Sequence, residues 1–315
     1  MVSPFFLAPM AGYTDWIYRD LCINYGAGLT YTEMVSAEGI ARGNKNTAFL
    51  LTKGKNEKKF AVQIFAPDAD TVSRAIPNLL NYKPDIIDLN CGCPVPKITK
   101  IGCGSALLKN PKIIGQIVKE LKEQTRLPIT VKIRLGWDDD NINYLETAEQ
   151  VFNNGGNALC LHARTKSQLY MPSANWTELK NLKSHFKDEK IFGSGDIFTA
   201  RDAVKMLTET EVDGVMIARG AIGNPFIFRE ANELLKHPDI LPQKPDENEI
   251  KSTAILHLNG LISIYGEDKG CKEMHKHISH YFKGSKNSNK IRQSCYLATT
   301  LKEYVEAIYS DFQEI

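Results

Sequence analysis

The chain has 315 residues, of which 43% are hydrophobic and 24% are charged, and its formal net charge is +2. These ordinary values exclude a disordered, collagen-like or coiled-coil protein, and the small net charge gives no global sign of a nucleic-acid partner. No apolar run approaches the ~18 residues of a membrane span, and the N-terminus lacks the basic segment of a signal peptide. Seven scattered cysteines, an odd number, indicate reduced thiols, so we expect a cytoplasmic protein that does not bind a membrane.

Eight short apolar runs, each followed by a turn and a helical pattern, predict eight parallel β-strands. The runs are almost continuously apolar, which is typical of strands buried on both faces. The predicted strands cover residues 5–10, 29–34, 60–65, 86–91, 129–134, 158–164, 190–196 and 214–219. Residues 106–123 and 199–208 show the apolar spacing of helices. Eight such units in about 235 residues match an α/β fold of the (β/α)8 TIM-barrel type, although periodicity alone does not exclude an open doubly wound sheet.

The pattern changes after the eighth unit. Residues 237–249 contain three prolines and predict a linker, and the spacing of Asp246 and Glu249 predicts the start of a helix. Only helical stripes follow. We therefore expect a TIM-barrel catalytic domain over residues 1–238 and a small C-terminal all-helical domain over residues 239–315.

A local excess of positive charge lies within the second of these domains. Residues 269–292 contain seven Lys or Arg residues and one acidic residue, Glu273, a surplus of +6. This surplus predicts a surface that binds nucleic acid, and the alternative is an ordinary solvated helix face. Three histidines are expected to add further hydrogen-bond donors there: His275, His277 and His280.

Polar residues and glycines cluster at the predicted carboxyl ends of the strands, where barrel enzymes place their catalytic groups. The polar residues are Glu33, Gln63, Asn90, Lys132, Arg134, His162, Arg164 and Asp196. Apolar strands rarely contain such side chains without buried polar partners. The alternative is structural: Lys132 would pair with a buried acid such as Asp88 or Glu33, and a carbonyl would satisfy His162. Glycine-rich strand ends at residues 193–195 and 219–220 predict free backbone N–H groups that bind a phosphate.

Cys91 and Cys93 form a C-x-C pair in front of a proline. Structural zinc sites use C-x2-C pairs with a second pair elsewhere, and the sequence has no second pair, so no metal site is expected. Cys93 instead lies in a loop over the predicted mouth of the barrel, where a buried structural role fits poorly.

These motifs resemble those of the tRNA-dihydrouridine synthase family, and most closely its bacterial B-type enzymes. The combination of Asn-x-Gly-Cys-Pro with Ala-Pro-Met-Ala-Gly is highly specific, and the matching segments cover the whole barrel in order. They are LAPMAGYTD (7–15), GAGLTYTEM (26–34), IDLNCGCPVPKITKIGCGSALL (87–108), TVKIRLGW (130–137), LHART (161–165), GSGDI (193–197) and MIARGAIGNPFIF (216–228). The resemblance implies a flavin-dependent reduction of the C5=C6 bond of tRNA uridines, with FMN as cofactor and NADPH or NADH as reductant.

The resemblance also implies a role for individual residues. Cys93 would donate a proton to C5 while hydride from reduced FMN adds to C6. The cofactor-binding residues would be Pro9, Met10, Ala11, Gln63, Lys132, His162, Ser194, Gly195, Asp196, Ala218 and Arg219. The substrate-binding residues at the barrel would be Asn90, Arg134 and Tyr170. The positive C-terminal segment would then bind tRNA through Lys283, Lys286 and Lys290, and the other candidate surface lies around Lys97, Lys100 and Arg164.

The sequence departs from the family pattern at four places. Ser194 replaces a common Asn, Ala218 and Ala163 replace common glycines, and residues 171–173 replace a loop that usually contains Gly. Because the backbone of Ser194 and Ala218 can still donate hydrogen bonds, we expect flavin binding to be retained. The altered loop is expected to change the contacts with the substrate.

Two other functions are consistent with the same residues. One is an FMN barrel that reduces a small metabolite, similar to a dihydroorotate dehydrogenase, and it leaves the basic C-terminal segment without a use. The other is a non-catalytic RNA-binding barrel, which does not explain why Cys93, Lys132 and His162 occur together. We expect the synthase, acting on tRNA as a monomer without a metal ion.

Overall fold

Nine short parallel strands form the centre of the protein in a computed structural model that describes residues 2–285 and 287–310. They are β1 (Phe5–Leu7), β2 (Leu29–Thr30), β3 (Val35–Ser36), β4 (Ala61–Phe65), β5 (Ile86–Cys91), β6 (Ile129–Arg134), β7 (Ala158–His162), β8 (Ile191–Ser194) and β9 (Gly214–Ile217). Hydrogen bonds join them in the order β2-β1-β9-β8-β7-β6-β5-β4-β3. A bridge from Tyr31, the residue after β2, to Ala61 of β4 closes the ring. The predicted barrel is therefore confirmed, and the open sheet is wrong.

The strand predicted over residues 29–34 is broken in two. β2 pairs with β1, and β3 pairs with β4, so the two pieces share one position in the barrel. Between them, the Thr32 hydroxyl accepts the N–H of Gln63 at 3.0 Å in place of a backbone carbonyl. The Glu33 carboxylate accepts the N–H of Gly12 at 2.6 Å. Side-chain hydrogen bonds thus replace part of the ladder, which an apolar pattern does not reveal.

The helices of the barrel lie outside the strands. They are α1 (Trp16–Asn24), α2 (Ala37–Ala41), α3 (Lys45–Leu50), α4 (Ala69–Leu80), α5 (Pro96–Thr99), α6 (Pro111–Thr125), α7 (Tyr144–Asn153), α8 (Trp176–His185), α9 (Ala200–Thr210) and α10 (Phe226–Lys236). The prediction of one helix over residues 106–123 is wrong at its start, because a 3-10 turn (Gly104–Lys109) precedes α6. Asn110 is not helical (φ −146°, ψ 84°), since the ring of Pro111 disfavours a helical conformation at the residue before it. The helix predicted from Thr199 is confirmed, and Thr199 and Asp202 form its capping box.

Side chains inside the barrel change from apolar to polar toward its mouth. One buried apolar cluster fills the interior, and a larger cluster packs the sheet against the helices. The interior cluster consists of Phe6, Ala8, Tyr31, Ala61, Ile86, Cys160 and Met216. Because successive side chains along a strand point to opposite faces, the residue two positions later faces the same interior. Gln63, Asp88 and His162 therefore lie one layer above this cluster.

A helical region follows the barrel, as predicted. It contains α11 (Glu247–Tyr265), α12 (Glu267–Tyr281), α13 (Ser288–Leu297) and α14 (Leu301–Tyr309). Asp246 caps α11 by accepting the N–H of Glu249 at 2.8 Å, which confirms the predicted helix start. The predicted boundary between residues 238 and 239 falls between α10 and α11, and the division into two domains stays a prediction. Among the residues that the structure describes, no helix has the length and apolar character needed to cross a membrane.

The helical region contacts the barrel through a cluster of buried rings. His257 of α11 and His277 of α12 each lie with their ring centre 4.9 Å from that of Tyr18 on α1. Burial lowers the pKa of both histidines, to about 3 for His257, so both are neutral at physiological pH. The expectation that His277 contributes to a nucleic-acid surface is therefore wrong, because this side chain is fully buried between helices.

Candidate active site

The carboxyl ends of β4 to β8 bring five predicted site residues to the mouth of the barrel. They are Gln63, Asn90, Lys132, His162 and Ser194. The strand register places Asn90 beside Lys132, and His162 beside Ser194. Among the described residues, Lys132 makes no direct hydrogen bond or ion pair with Asp88 or Glu33, although its positive charge acts on Asp88 and lowers the pKa of that carboxyl.

The loop that carries Cys93 is held by four hydrogen bonds from three side chains. Asn90 Oδ1 accepts the N–H groups of Gly92 and Cys93 at 3.2 and 2.9 Å. Arg134 Nε donates to the Gly92 carbonyl at 2.8 Å, and Ser105 Oγ donates to the Cys93 carbonyl at 2.9 Å. Cys93 is partly exposed, whereas the other six cysteines are buried. Burial still raises the pKa of the Cys93 thiol, so it carries its proton at neutral pH.

Gln63 and Asn90 belong to one hydrogen-bond chain that ends on a buried acid. Gln63 Nε2 donates to Asp88 Oδ2 at 2.6 Å, and Asn90 Nδ2 donates to Gln63 Oε1 at 2.8 Å. The Thr130 hydroxyl donates to the other oxygen of Asp88. Burial raises the pKa of Asp88 to about 6. Sequence reasoning gave Asp88 only a structural role, although an acid inside the apolar run of β5 was a signal that it has a buried partner.

His162 lies in a strongly positive part of the site. Burial lowers its pKa well below the ordinary value, and four nearby cations lower it further. These cations are Lys132, Arg134, Arg164 and Arg219. The imidazole is therefore neutral, and its Nε2 lies 3.4 Å from a guanidinium nitrogen of Arg164. This concentration of charge in a chain whose net charge is only +2 favours an anionic ligand.

Asp196 organises the strand ends that were predicted to bind phosphate. Its carboxylate accepts from Arg164 at 2.6 Å, from Arg219 at 3.0 Å and from the Ala174 N–H at 2.8 Å. Although partial burial opposes the effect, these donors lower the pKa of Asp196, which stays ionised. Gly195 has a φ of +124°, and a Cβ there would lie 3.1 Å from the His162 ring and 2.8 Å from Ala174. A larger residue at position 195 therefore does not fit.

Backbone donors remain available at these strand ends. No described residue accepts a hydrogen bond from the N–H groups of Gly195, Asp196, Ala218 or Arg219. The Arg219 guanidinium lies over the Tyr170 ring at 4.4 Å. Free amides beside an arginine are a suitable site for a phosphate.

The loop after β1 completes the mouth. Met10 accepts the N–H groups of Tyr13 and Thr14 on its carbonyl, and its own N–H donates to the Thr14 hydroxyl at 3.0 Å. Pro9 and Met10 are partly buried, whereas Ala11 is exposed. This tight turn presents Pro9, Met10 and Ala11 as one rigid edge.

The predicted substrate residues fall into two groups. Arg134 and Arg164 are only 3% and 1% exposed. Arg134 donates to the Thr165 and Leu169 carbonyls, and Arg164 donates to the Pro172 carbonyl, so both hold loops of the mouth. Tyr170 is 52% exposed. Fixed loops thus carry an exposed aromatic ring beside the site.

The positive C-terminal segment is partly neutralised. Lys272 forms an ion pair with Asp268 at 2.7 Å, and Lys276 pairs with Glu273. Lys283 and Lys290 are exposed, whereas Lys286 lies outside the described residues. Ion pairs along α12 therefore neutralise part of the surplus that the sequence predicts.

The comparison with known families decides the identity of this arrangement. The model of the dihydrouridine synthase (Dus) family matches residues 6–314. The chain belongs to this family. Two similar proteins, each 36% identical, are a probable tRNA-dihydrouridine synthase of Treponema pallidum and tRNA-dihydrouridine synthase B of Pasteurella multocida. The alignments cover 96% and 98% of this chain and 91% and 93% of those proteins. The resemblance to a family of enzymes, including its B-type members, is thus confirmed.

A solved structure supports the fold of this family member. The chain is similar to histamine dehydrogenase from Rhizobium sp. 4-9, with a TM-score of 0.53 and 13% identity over 81% of this chain and 50% of that one. At this low identity the likeness concerns the fold alone. Within the described part of the chain, no group of three or more His, Cys, Asp or Glu side chains is arranged to hold a metal ion.

Proposed function

We propose that the protein reduces the C5=C6 bond of uridines in tRNA to dihydrouridine, with FMN as cofactor and NADPH or NADH as reductant. Its similar relatives are named tRNA-dihydrouridine synthases. The observation that carries the proposal is the Cys93 thiol, which is partly exposed and protonated. The positive charges of Arg134 and Lys132 act on this thiol.

The residues of the mouth fit an FMN. The free backbone N–H groups of Gly195, Asp196, Ala218 and Arg219 would hold its phosphate with Ser194 nearby. Gln63 uses its oxygen and one N–H within the protein, which leaves one N–H for the isoalloxazine ring. Lys132, His162 and the turn of Pro9, Met10 and Ala11 would hold the rest of that ring. When bound, FMN would supply the hydride that adds to C6 of the uracil.

Cys93 would supply the proton. Its pKa is raised by burial, so the thiol is protonated at neutral pH, and Sγ–H can donate directly to C5. The thiolate that remains lies in the field of Arg134 and Lys132, which stabilises it until a proton returns. The target uridine must leave its stack to reach this position, as the substrates of other base-modifying enzymes do.

The tRNA would contact both parts of the protein. At the mouth, the second amide N–H of Asn90 donates to Met34 Sδ at 3.7 Å, a weak acceptor that the base would replace, and Arg134 lies next to the Cys93 loop. Tyr170 offers an exposed ring. The helical domain over residues 239–315 would bind phosphates through Lys283, Lys286 and Lys290. Arg164 is too deeply buried to contact the backbone of tRNA, so its part in substrate binding is to hold the loop of Tyr170.

We further propose that the enzyme acts as a monomer in the cytoplasm and needs no metal ion. Its seven cysteines are all free, which suits a reducing compartment. Sedimentation equilibrium tests the monomer, and full activity after treatment with a chelator tests the independence from metal.

The decisive experiment combines the purified protein with tRNA that lacks dihydrouridine and with NADPH. We expect dihydrouridine to form at defined positions, measured by mass spectrometry of nuclease digests, and the heat-released cofactor to run as FMN on chromatography. The assignment is overturned if the tRNA stays unmodified while a small enoate or orotate is turned over. Recovery of FAD, or of no flavin, would overturn the assignment of FMN as the cofactor.

A further inference from the structure

A chain of hydrogen bonds runs beneath the Cys93 loop, from a buried carboxylate to the backbone of the loop. We call it the amide chain, and its members are Asp88, Gln63, Asn90 and the Cys93 N–H, joined at 2.6, 2.8 and 2.9 Å. We propose that Asp88 is a positioning residue that holds the Cys93 loop in place through Gln63 and Asn90. The proposal rests on the proton-donating function proposed above for Cys93.

Only one orientation of the two amides satisfies this chain. Backbone N–H groups can only donate, so they direct Asn90 Oδ1 toward the loop and Asn90 Nδ2 toward Gln63. Gln63 must then present Oε1 to Asn90 and Nε2 to position 88, where an acceptor is required. An ionised carboxylate is an acceptor only, so Asp88 selects this orientation of Gln63 and excludes the flipped one.

The amide chain is shielded from bulk water, because its side chains are buried. The residues Gln63, Asp88 and Asn90 are 0%, 1% and 8% exposed. The Thr130 hydroxyl, which donates to Asp88, is buried as well. Removal of the acceptor leaves a buried N–H unsatisfied, and we expect this to raise the open fraction of the Cys93 loop roughly 5- to 100-fold.

Hydrogen exchange of the loop amides measures this directly. In Asp88→Ala of the full-length protein as purified, the Gly92 and Cys93 amides should exchange faster by that factor. Asp88→Asn keeps an oxygen acceptor for Gln63, and its amide can donate to the Thr130 hydroxyl, so exchange should return to within about threefold of the wild type. The control is Asp213→Ala, which removes a carboxylate with three partners outside the mouth and should leave the loop amides unchanged.

A donor–acceptor swap makes the test independent of side-chain size. Gln63→Glu places a second acceptor opposite Asp88 and should open the loop at alkaline pH, where the two carboxyl groups no longer share a proton. The double variant Gln63→Glu/Asp88→Asn restores a donor facing an acceptor, and should restore protection. If Asp88→Ala fails to fold, this isosteric pair still decides the question. Unchanged exchange in Gln63→Glu, or no recovery in the double variant, overturns the proposal.

A purely structural role for Asp88 would not change the chemistry of the thiol. Opening of the loop exposes Cys93, so its alkylation by iodoacetamide should become several-fold faster in Gln63→Glu and return to the wild-type rate in the double variant. Alkylation that follows global stability instead of loop exchange contradicts the proposal. Neither hydrogen exchange nor alkylation needs tRNA. If no dihydrouridine forms, the proposed function is overturned, but the role of Asp88 in holding the Cys93 loop is still decided by these two measurements.

Discussion

Asp88→Asn is expected to make the protein more stable at neutral pH, although it changes a residue of the site. Burial raises the pKa of Asp88 from 3.8 to about 6. The ionised carboxylate therefore costs free energy that a protonated or neutral side chain does not. A difference of about two pH units corresponds to about 3 kcal/mol, at ~1.4 kcal/mol per unit. Asparagine carries no charge and still accepts a hydrogen bond from Gln63.

The pH window of this effect follows from the two pKa values. Between pH 3.8 and about 6, the folded protein holds a proton at Asp88 that the unfolded chain has released. The contribution of Asp88 to the free energy of unfolding therefore falls as the pH rises through this window, and it stays low above it. Urea unfolding of both proteins should show the stability advantage of Asp88→Asn growing by about 2 kcal/mol from about pH 4 to about pH 7.5, because a small part of the effect is already present at pH 4.

Asp213→Asn is the matched control, because its effect on stability should change with pH in the opposite direction. Asp213 pairs with Lys183 at 2.9 Å and Lys190 at 2.8 Å, and accepts the Ile191 N–H. Although partial burial opposes the effect, these donors lower the pKa of Asp213. This variant should lose stability relative to the wild type as the pH rises from the acidic range. The reasoning is refuted if the difference in free energy of unfolding between Asp88→Asn and the wild type does not change with pH.

Three further outcomes are expected. Cys93→Ala should lower uridine reduction by ~10²–10⁴ while flavin content and NADPH oxidation by oxygen stay nearly unchanged, and Cys91→Ala should have little effect; the reverse result would reassign the proton donor. Replacing Lys283 and Lys290 with Ala should weaken tRNA binding. The slope of the log binding constant against log salt concentration should become less steep by about 0.7–0.9 for each lost phosphate contact. An unchanged slope places the RNA surface elsewhere. The wild-type protein loses stability below about pH 6.5 in part because His277 takes up a proton in the unfolded chain but not in the folded one. His277→Phe should therefore lose less stability than the wild type on acidification. Equal losses in the two proteins would contradict the neutral state of His277.

Much of the fold could be predicted because its signals are local. The apolar runs indicated the strands, and capping residues such as Thr199 and Asp246 marked the helix starts that the structure has. The site residues could be located as a group for a related reason. Parallel strands of a barrel end at the same mouth, so polar side chains at successive strand ends are neighbours in space whatever the details of packing.

Errors arose where a residue's environment depends on a distant partner. Pro111 is an exception, since a proline after Asn110 by itself predicts the break before α6. Arg134 and Arg164 are polar in sequence but are buried as clamps on loop carbonyls. His277 belongs to a positively charged segment but packs against Tyr18, more than 250 residues earlier in the chain.

The sequence by itself determined the order of strands and helices, the position of the thiol in the Cys93 loop and the membership of the family. The tertiary structure alone decided closure through Tyr31 and Ala61, the neutral state of His162 and the attachment of Asn90 to Asp88 through Gln63. The physical reason is that hydrogen bonding and burial act between groups close in space. Apolar periodicity and capping act between residues a few positions apart. The local sequence pattern therefore predicts the features that depend on them, but not contacts between residues distant in the chain.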